Sequence, residues 1–281
     1  MKKVDLHVHT TASDGIYSPV DIIDLAVREG IAAMAITDHD TIDGLEEAVR
    51  YAKKIGFRIY PSIEFSIDYD MGSFHLIGLD IDFRSNVLRE ATEELTGHRR
   101  TRVYRMVEDL ARHGVVIPLE EVLEMAGDGS AGRPHVARVL VNHGYGSSVT
   151  EIFKNYLVKG KPGYVKKVRI AFEEAIRIIR ASGGVPVIAH PVSLDCRDLD
   201  EFEERLDGFV KAGVEGIEAY AALHSREQAE AYRAIAERRG LLITGGSDFH
   251  GDKNEIIGTY DSGIPVPFEV YEMVEEYLKR R

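Results

Sequence analysis

The chain has no tryptophan, one cysteine and, in 281 residues, no stretch approaching the roughly 18–20 consecutive apolar residues of a membrane span. A lone Cys196 excludes an internal disulfide and makes a reducing cytoplasm the expected compartment. The opening residues read directly as strand, so neither a secretory signal nor membrane association is expected. Positive charge is also short, with 35 Lys and Arg against 47 Asp and Glu and a net charge of −12. That balance argues against a protein that wraps long duplex nucleic acid, which needs a basic surface to neutralise phosphates. A small anionic substrate is still compatible, because bound divalent cations offset negative charge locally. What the chain does have is a 44% hydrophobic share, enough for one large α/β core or a core with an insertion.

The organising stretch is Val4-Asp5-Leu6-His7-Val8-His9. Side chains of a strand alternate between faces, so Val4, Leu6 and Val8 share one side while Asp5, His7 and His9 share the other. Two imidazoles at i and i+2 then point the same way, close enough to share a metal ion. A helix opens at Ser18-Pro19, with Ser18 as cap and Pro19 at the first helical position. A strand over 31–36 leads into Thr37-Asp38-His39-Asp40, and a helix over 43–55 stops at Gly56. Residues 58–67 read as one strand carrying Glu64. Residues 69–72 read as a turn, and 73–81 as a returning strand carrying His75. Residues 86–159 read as helices only, a helical insertion into a body formed by 1–85 and 160–281. Strand–helix alternation then resumes through Ala189-His190-Pro191, a strand ending at Tyr220, and Gly245-Gly246-Ser247-Asp248-Phe249-His250.

Such alternation predicts a parallel sheet, either doubly wound or closed into a barrel. Ligand-type residues recur where strands end, at His39, His190, Asp248 and His250. A barrel gathers those ends on one face, whereas an open sheet leaves its first and last strands apart, so a barrel is preferred. The candidate ligands are His7, His9, Asp14, His39, Glu64, His75, His190, Asp248 and His250. Glu64 is the most telling, because a carboxylate inside an apolar strand costs several kcal/mol unless it is paired or metal-bound. Imidazole with carboxylate and no thiolate suits Zn²⁺, Mn²⁺ or Fe²⁺. Nine donors exceed the needs of one ion, so two or three divalent ions are expected.

Asp5-Leu6-His7-Val8-His9, Thr37-Asp38-His39-Asp40, Ala189-His190-Pro191 and Ser247-Asp248-Phe249-His250 together resemble the four ordered motifs of the PHP (polymerase and histidinol phosphatase) family. The resemblance implies a distorted (β/α)7 TIM-like barrel with a trinuclear metal site. In it His7, His9, Glu64 and Asp248 would hold one ion, Asp14, His39 and His250 a second, and Glu64, His75 and His190 a third, with Glu64 bridging. Aspartate at position 14, where other branches have histidine, is similar to stand-alone PHP phosphoesterases acting on nucleotides. That branch carries an insertion with Gly-Arg-Pro-His, here Gly132-Arg133-Pro134-His135. A helix starting near Pro134 would aim free backbone N–H groups at a phosphate beside Arg133.

The expected chemistry is hydrolysis of a phosphate monoester. A metal-bound water, acidified toward neutrality, attacks phosphorus in line. Arg133 and His135 would clamp phosphate, and His224 is the candidate to protonate the leaving oxygen. Asp5, Asp38 and Asp40 are read either as partners that orient ligating imidazoles or as turn and cap residues. The resemblance implies a nucleoside 3′,5′-bisphosphate or AMP as substrate, with 5′–3′ trimming of short RNA close behind. Histidinol phosphatase, an amidohydrolase-type C–N hydrolase and a non-catalytic structural domain are the weaker readings. His98, Arg99, Arg100, Arg102, Arg105 and Arg112 crowd one helix of the insertion. Interleaved with Glu108 and Asp109, they read as a solvated face.

Overall fold

The computed structural model describes residues 2–70, 72–127 and 131–281; Met71 of the expected turn lies outside them. Three parallel strands form one sheet, β1 (Lys3–Val8), β2 (Ile31–Ile36) and β3 (Arg58–Pro61). A second sheet has the order β4 (Ile63–Ile67), β5 (Phe74–Leu79), β6 (Val185–Ile188), β7 (Gly216–Ala221), β8 (Leu242–Gly246). A short antiparallel ribbon, β9 (Thr259–Tyr260) with β10 (Ile264–Pro265), follows. Helices α1 (Pro19–Arg28), α2 (Leu45–Ile55), α7 (Phe172–Ala181), α8 (Leu199–Ala212), α9 (Arg226–Arg239) and α10 (Glu269–Arg280) alternate with the strands. Ser18 caps α1 as expected, its hydroxyl accepting the Asp21 N–H at 3.1 Å.

Two features depart from a uniform parallel sheet. The stretch read as one strand over 58–67 is two strands in different sheets. Pro61 has no N–H for a ladder, and Ser62 spends its hydroxyl on Tyr60 O and on the Asp80 N–H, so the chain changes partners there. β5 runs antiparallel to both β4 and β6, because the short connection after β4 allows only a hairpin return. The ladders therefore do not close into one sheet. The two sheets meet at single bridges, Val8 with Phe249 and His39 with Glu64. Gly246 makes the first junction possible: a Cβ there would overlap the backbone N and Cβ of His7.

Residues 86–157 hold α3 (Asn86–Arg112), α4 (Leu119–Ala126), α5 (Arg133–Asn142), α6 (Val149–Ile152) and a π-helical turn at Phe153–Leu157. At 27 residues, α3 is about 40 Å long. It runs through two hydrophobic clusters. Leu88 and Leu95 pack with the sheets, while Val103, Met106 and Leu110 pack with Val122, Val136, Leu140, Ile152 and Leu157. Among the described residues no helix is long and apolar enough to cross a membrane.

Candidate metal centre and anion cleft

The strand ends gather the other eight candidate ligands about Glu64. β1 carries His7 and delivers His9 just past its end, and Asp14 lies in the loop that follows. His39 follows β2, His190 follows β6, and Asp248 and His250 follow β8. β5 contributes His75 from its N-terminal end, which sits at the same mouth because β5 is antiparallel and His75 pairs with Ser66. His190, Asp248 and Asp40 have φ of 25°, 50° and 56°, left-handed values that non-glycine residues hold only where surrounding structure imposes them.

Glu64 is fully buried among five imidazoles. Its Oε1 lies 3.3 Å from His7 Nε2, 3.0 Å from His75 Nδ1 and 3.1 Å from His190 Nε2. Its Oε2 lies 3.4 Å from His9 Nε2 and 2.7 Å from His39 Nδ1. Asp248 Oδ1 is 3.3 Å from His7 Nε2 and 3.0 Å from His9 Nε2. Asp14 Oδ1 is 3.4 Å from His250 Nε2 and 3.8 Å from His9 Nδ1. Three groups have donor atoms that converge within 4.8 Å: His7, His9, Glu64 and Asp248; His9, Asp14, His39 and His250; and His39, Glu64 and His75. His190 reaches Glu64 and His75 without belonging to these groups.

The donor set fits divalent cations on two observations. His7 Nε2, both ring nitrogens of His9, His39 Nδ1 and Glu64 Oε2 are buried without a hydrogen-bond partner, a state that buried polar atoms rarely hold. The partners of three imidazoles also fix their tautomers. His7 Nδ1 donates to Glu218 at 3.0 Å, and His250 Nδ1 donates to Asp248 O at 2.8 Å. Ser193 gives its own proton to Ser73 O and so accepts His190 Nδ1–H at 2.8 Å. In the neutral ring each Nε2 lone pair is thereby turned toward carboxylate oxygens, an arrangement that a divalent cation between them satisfies.

Above this floor opens a cleft of about 130 Å³. Its lining joins Asp14, His39, Ser66, Ser73 and His75 to a wall of Arg99, Arg102, Arg133, Phe153, Lys167 and Arg169, with Lys167 donating to Ser66 where the two sets meet. Asp40 accepts from Arg99 at 2.7 Å and from Lys167 at 2.8 Å, and also takes the Ser66 N–H at 2.7 Å. Burial alone would raise the Asp40 carboxyl, but Lys167 and Arg99 outweigh it and hold it well below the usual range. Burial, with Arg99 beside it, pushes Lys167 down to about 8. Burial, then Arg133 and Arg99, pushes Arg102 down to about 9; its Nε donates to Val165 O at 2.8 Å. Arg133 lies 5.4 Å over the Phe153 ring, lowered by burial and by Arg169. On this wall of five cations Asp40 is the one carboxylate within ion-pair range among the described residues.

Several expectations change. Arg99 and Arg102 are not a solvated face: both are buried and line the cleft, while His98, Arg100, Arg105 and Arg112 are exposed. His135, expected at the phosphate, is not among the residues that line the cleft. It is buried with its pKa pushed down to about 4, hence neutral, and its Nδ1 accepts the Gly132 N–H at the start of α5. His224 is neither exposed nor on the cleft wall. Its Nδ1 donates to Ala219 O at 2.7 Å and its Nε2 faces the Val192 N–H at 3.5 Å, which leaves no proton for a leaving group. Asp5 ties down Ser247 and Gly258, and Asp38 ties down Thr10 and Ser13, so neither orients an imidazole. The residue that does so, Glu218, escaped the sequence reading, as did Lys167 and Arg169. The signal for Glu218 was the one used for Glu64, a carboxylate inside an apolar strand. The signal for the two cations was a run without acids, residues 152–172.

Comparison with known proteins agrees with this geometry. The chain is 31% identical to a 3′,5′-nucleoside bisphosphate phosphatase of Chromobacterium violaceum over 100% of its own length and 99% of the relative's. It is 32% identical to a 5′-3′ exoribonuclease of Haemophilus influenzae, over 94% and 98%. A solved structure from Bifidobacterium adolescentis, assigned as a metal-dependent phosphoesterase, superposes with a TM-score of 0.85 at 29% identity over 98% of this chain and 95% of that one. The PHP domain matches residues 5–180. On these grounds the chain belongs to the PHP domain family.

Proposed function

We propose that this protein is a metal-dependent phosphoesterase that hydrolyses a phosphate monoester of a small nucleotide carrying a further phosphate, such as a nucleoside 3′,5′-bisphosphate. The observation that carries it is the meeting, at one cleft, of a nine-donor cluster and five cations for which Asp40 is the one carboxylate within ion-pair range among the described residues. A C–N hydrolase has no use for those cations. His7, His9, Glu64 and Asp248 would hold one ion, Asp14, His39 and His250 a second, and Glu64, His75 and His190 a third, in a distorted barrel with residues 86–159 as its inserted helical unit. When bound, two or three such ions (Mn, Fe or Zn) supply Lewis acidity, acidifying water and neutralising phosphoryl charge. The chain's own groups do the rest. Arg133 and Arg169 take the anion, Arg102 is held by Val165 O with its guanidinium against the same space, and Asp40 keeps Arg99 and Lys167 aimed inward before substrate arrives.

The deciding experiment is phosphate release after reconstitution with Mn²⁺, on a panel of 3′,5′-bisphosphates, AMP, histidinol phosphate and an amide substrate. Turnover of the bisphosphate is expected to vanish in His7→Ala and Asp248→Ala, and Arg133→Ala should cost about 2–4 kcal/mol of transition-state binding. Amide hydrolysis, or silence of the metal-loaded enzyme on every phosphate ester, would sink the assignment.

One observation favours short RNA as a second substrate. Residues 152–172 contain no acid, and Lys154, Lys159, Lys161 and Lys166 are exposed on a segment whose two ends, Phe153 and Lys167, line the cleft. Replacing these four lysines by Gln should leave bisphosphate turnover intact, raise KM for a pentanucleotide and flatten its salt dependence. Equal KM and salt slopes in variant and parent would exclude the track.

A further inference from the structure

Glu218 is 1% exposed and lies in the middle of β7, behind the ligand cluster rather than in it. Its two oxygens serve two different ligands. Oε1 takes the proton of His7 Nδ1 at 3.0 Å, and Oε2 takes the backbone N–H of His190 at 2.8 Å while staying 3.2 Å from the same His7 nitrogen. His7, on β1, belongs to the group with His9, Glu64 and Asp248, while His190, after β6, reaches Glu64 from the side of His75. His190 is also the residue held at φ 25°, so the peptide that Glu218 grips sits in a conformation the chain does not choose unaided. No Lys or Arg lies within ion-pair range of Glu218 among the described residues, so its charge remains for the cluster to feel.

We propose that Glu218 is a positioning residue that presets two metal subsites together: it locks His7 with its Nε2 lone pair inward and fixes the peptide from which His190 reaches Glu64. The inference rests on the reading of the cluster as a divalent-metal centre. The carboxylate is needed because both of its partners are donors. A glutamine has one acceptor and one donor group. If its oxygen faces His190 N–H, its NH₂ faces His7 Nδ1 and drives that ring to the opposite tautomer, with a proton where a metal should bind. If its oxygen faces His7, the His190 N–H is left against another donor. Shape is kept while both functions cannot be.

The test is Glu218→Gln against the parent, read by Mn²⁺ titration calorimetry, by metal content after gel filtration and by imidazole ¹⁵N shifts of the metal-free proteins. The parent should show His7 protonated on Nδ1. The variant should lose either that tautomer or the His190 N–H bond, bind Mn²⁺ roughly 10–100-fold more weakly and retain fewer ions. Glu218→Asp keeps two acceptors on a shorter stem and should recover part of the affinity; if Glu218→Gln does not fold, the aspartate variant alone must still bind more weakly than the parent. Parental tautomer and parental affinity in Glu218→Gln, or in Glu218→Asp as the only folded variant, would overturn the proposal. A parent that binds no divalent metal would instead overturn the metal-centre reading beneath it.

Discussion

At the scale of single residues, Lys167 offers the most direct test of the cleft. Buried and beside Arg99, it gives up its proton near pH 8, below its ordinary 10.5. It is charged below that value and neutral above it. The kcat/KM for a dianionic phosphate ester should therefore fall as pH rises through about 8. Lys167→Arg keeps its charge far above that point and should abolish the alkaline limb; superimposable profiles from pH 7 to 9.5 would show that Lys167 does not meet the substrate. Legibility at this scale followed contrast. His7 and Glu64 stand out because they interrupt apolar strands, His9 and Asp248 because they follow apolar strands directly, and the structure brings the four together. Glu218 makes the same interruption and was overlooked because no neighbouring histidine drew attention to it. Arg99 and Arg102 misled because their neighbours on α3 are charged. Their direction depends on how α3 packs against residues 153–169, a tertiary fact with no local trace.

At the scale of elements, the junction of β1 with β8 is built on the missing side chain of Gly246. Gly246→Ala should push β1 outward at His7, lower stability by about 1–3 kcal/mol and weaken metal binding along with it. Denaturant unfolding and Mn²⁺ titration check both, and an alanine variant equal to the parent in each would mean that the strands have room to spare. Most elements were readable from periodicity and caps, including the start of α1 at Ser18-Pro19. The exchange of partners at Pro61-Ser62 was not, although proline announces a missing donor. The apolar pattern simply continues across it, and only the hydrogen-bond ladders reveal that two sheets begin there.

For the whole molecule, a net charge of −12 coexists with a buried cluster of carboxylates and imidazoles, several of whose polar atoms have no hydrogen-bond partner. Withdrawing the divalent ions should leave Glu64 and Asp248 without countercharge. A ligand at a thousand times its Kd stabilises by about 4 kcal/mol, so chelation should lower the melting temperature by on the order of 10 °C, with Mn²⁺ restoring it; a scan indifferent to EDTA would contradict a resident metal.

The path of α3 reaches further. Its first half is anchored in the cluster that supports the metal floor, its second half in the cluster that supports the cationic wall, and Arg99 and Arg102 stand where it passes from one to the other. The helix is thus a beam clamped at both ends across the mouth of the cleft. Any flexing of that beam would move the guanidinium groups relative to the imidazoles below, so the span between scissile and distal anions would be gauged by the stiffness of one helix, as the jaw of a caliper is set by its bar.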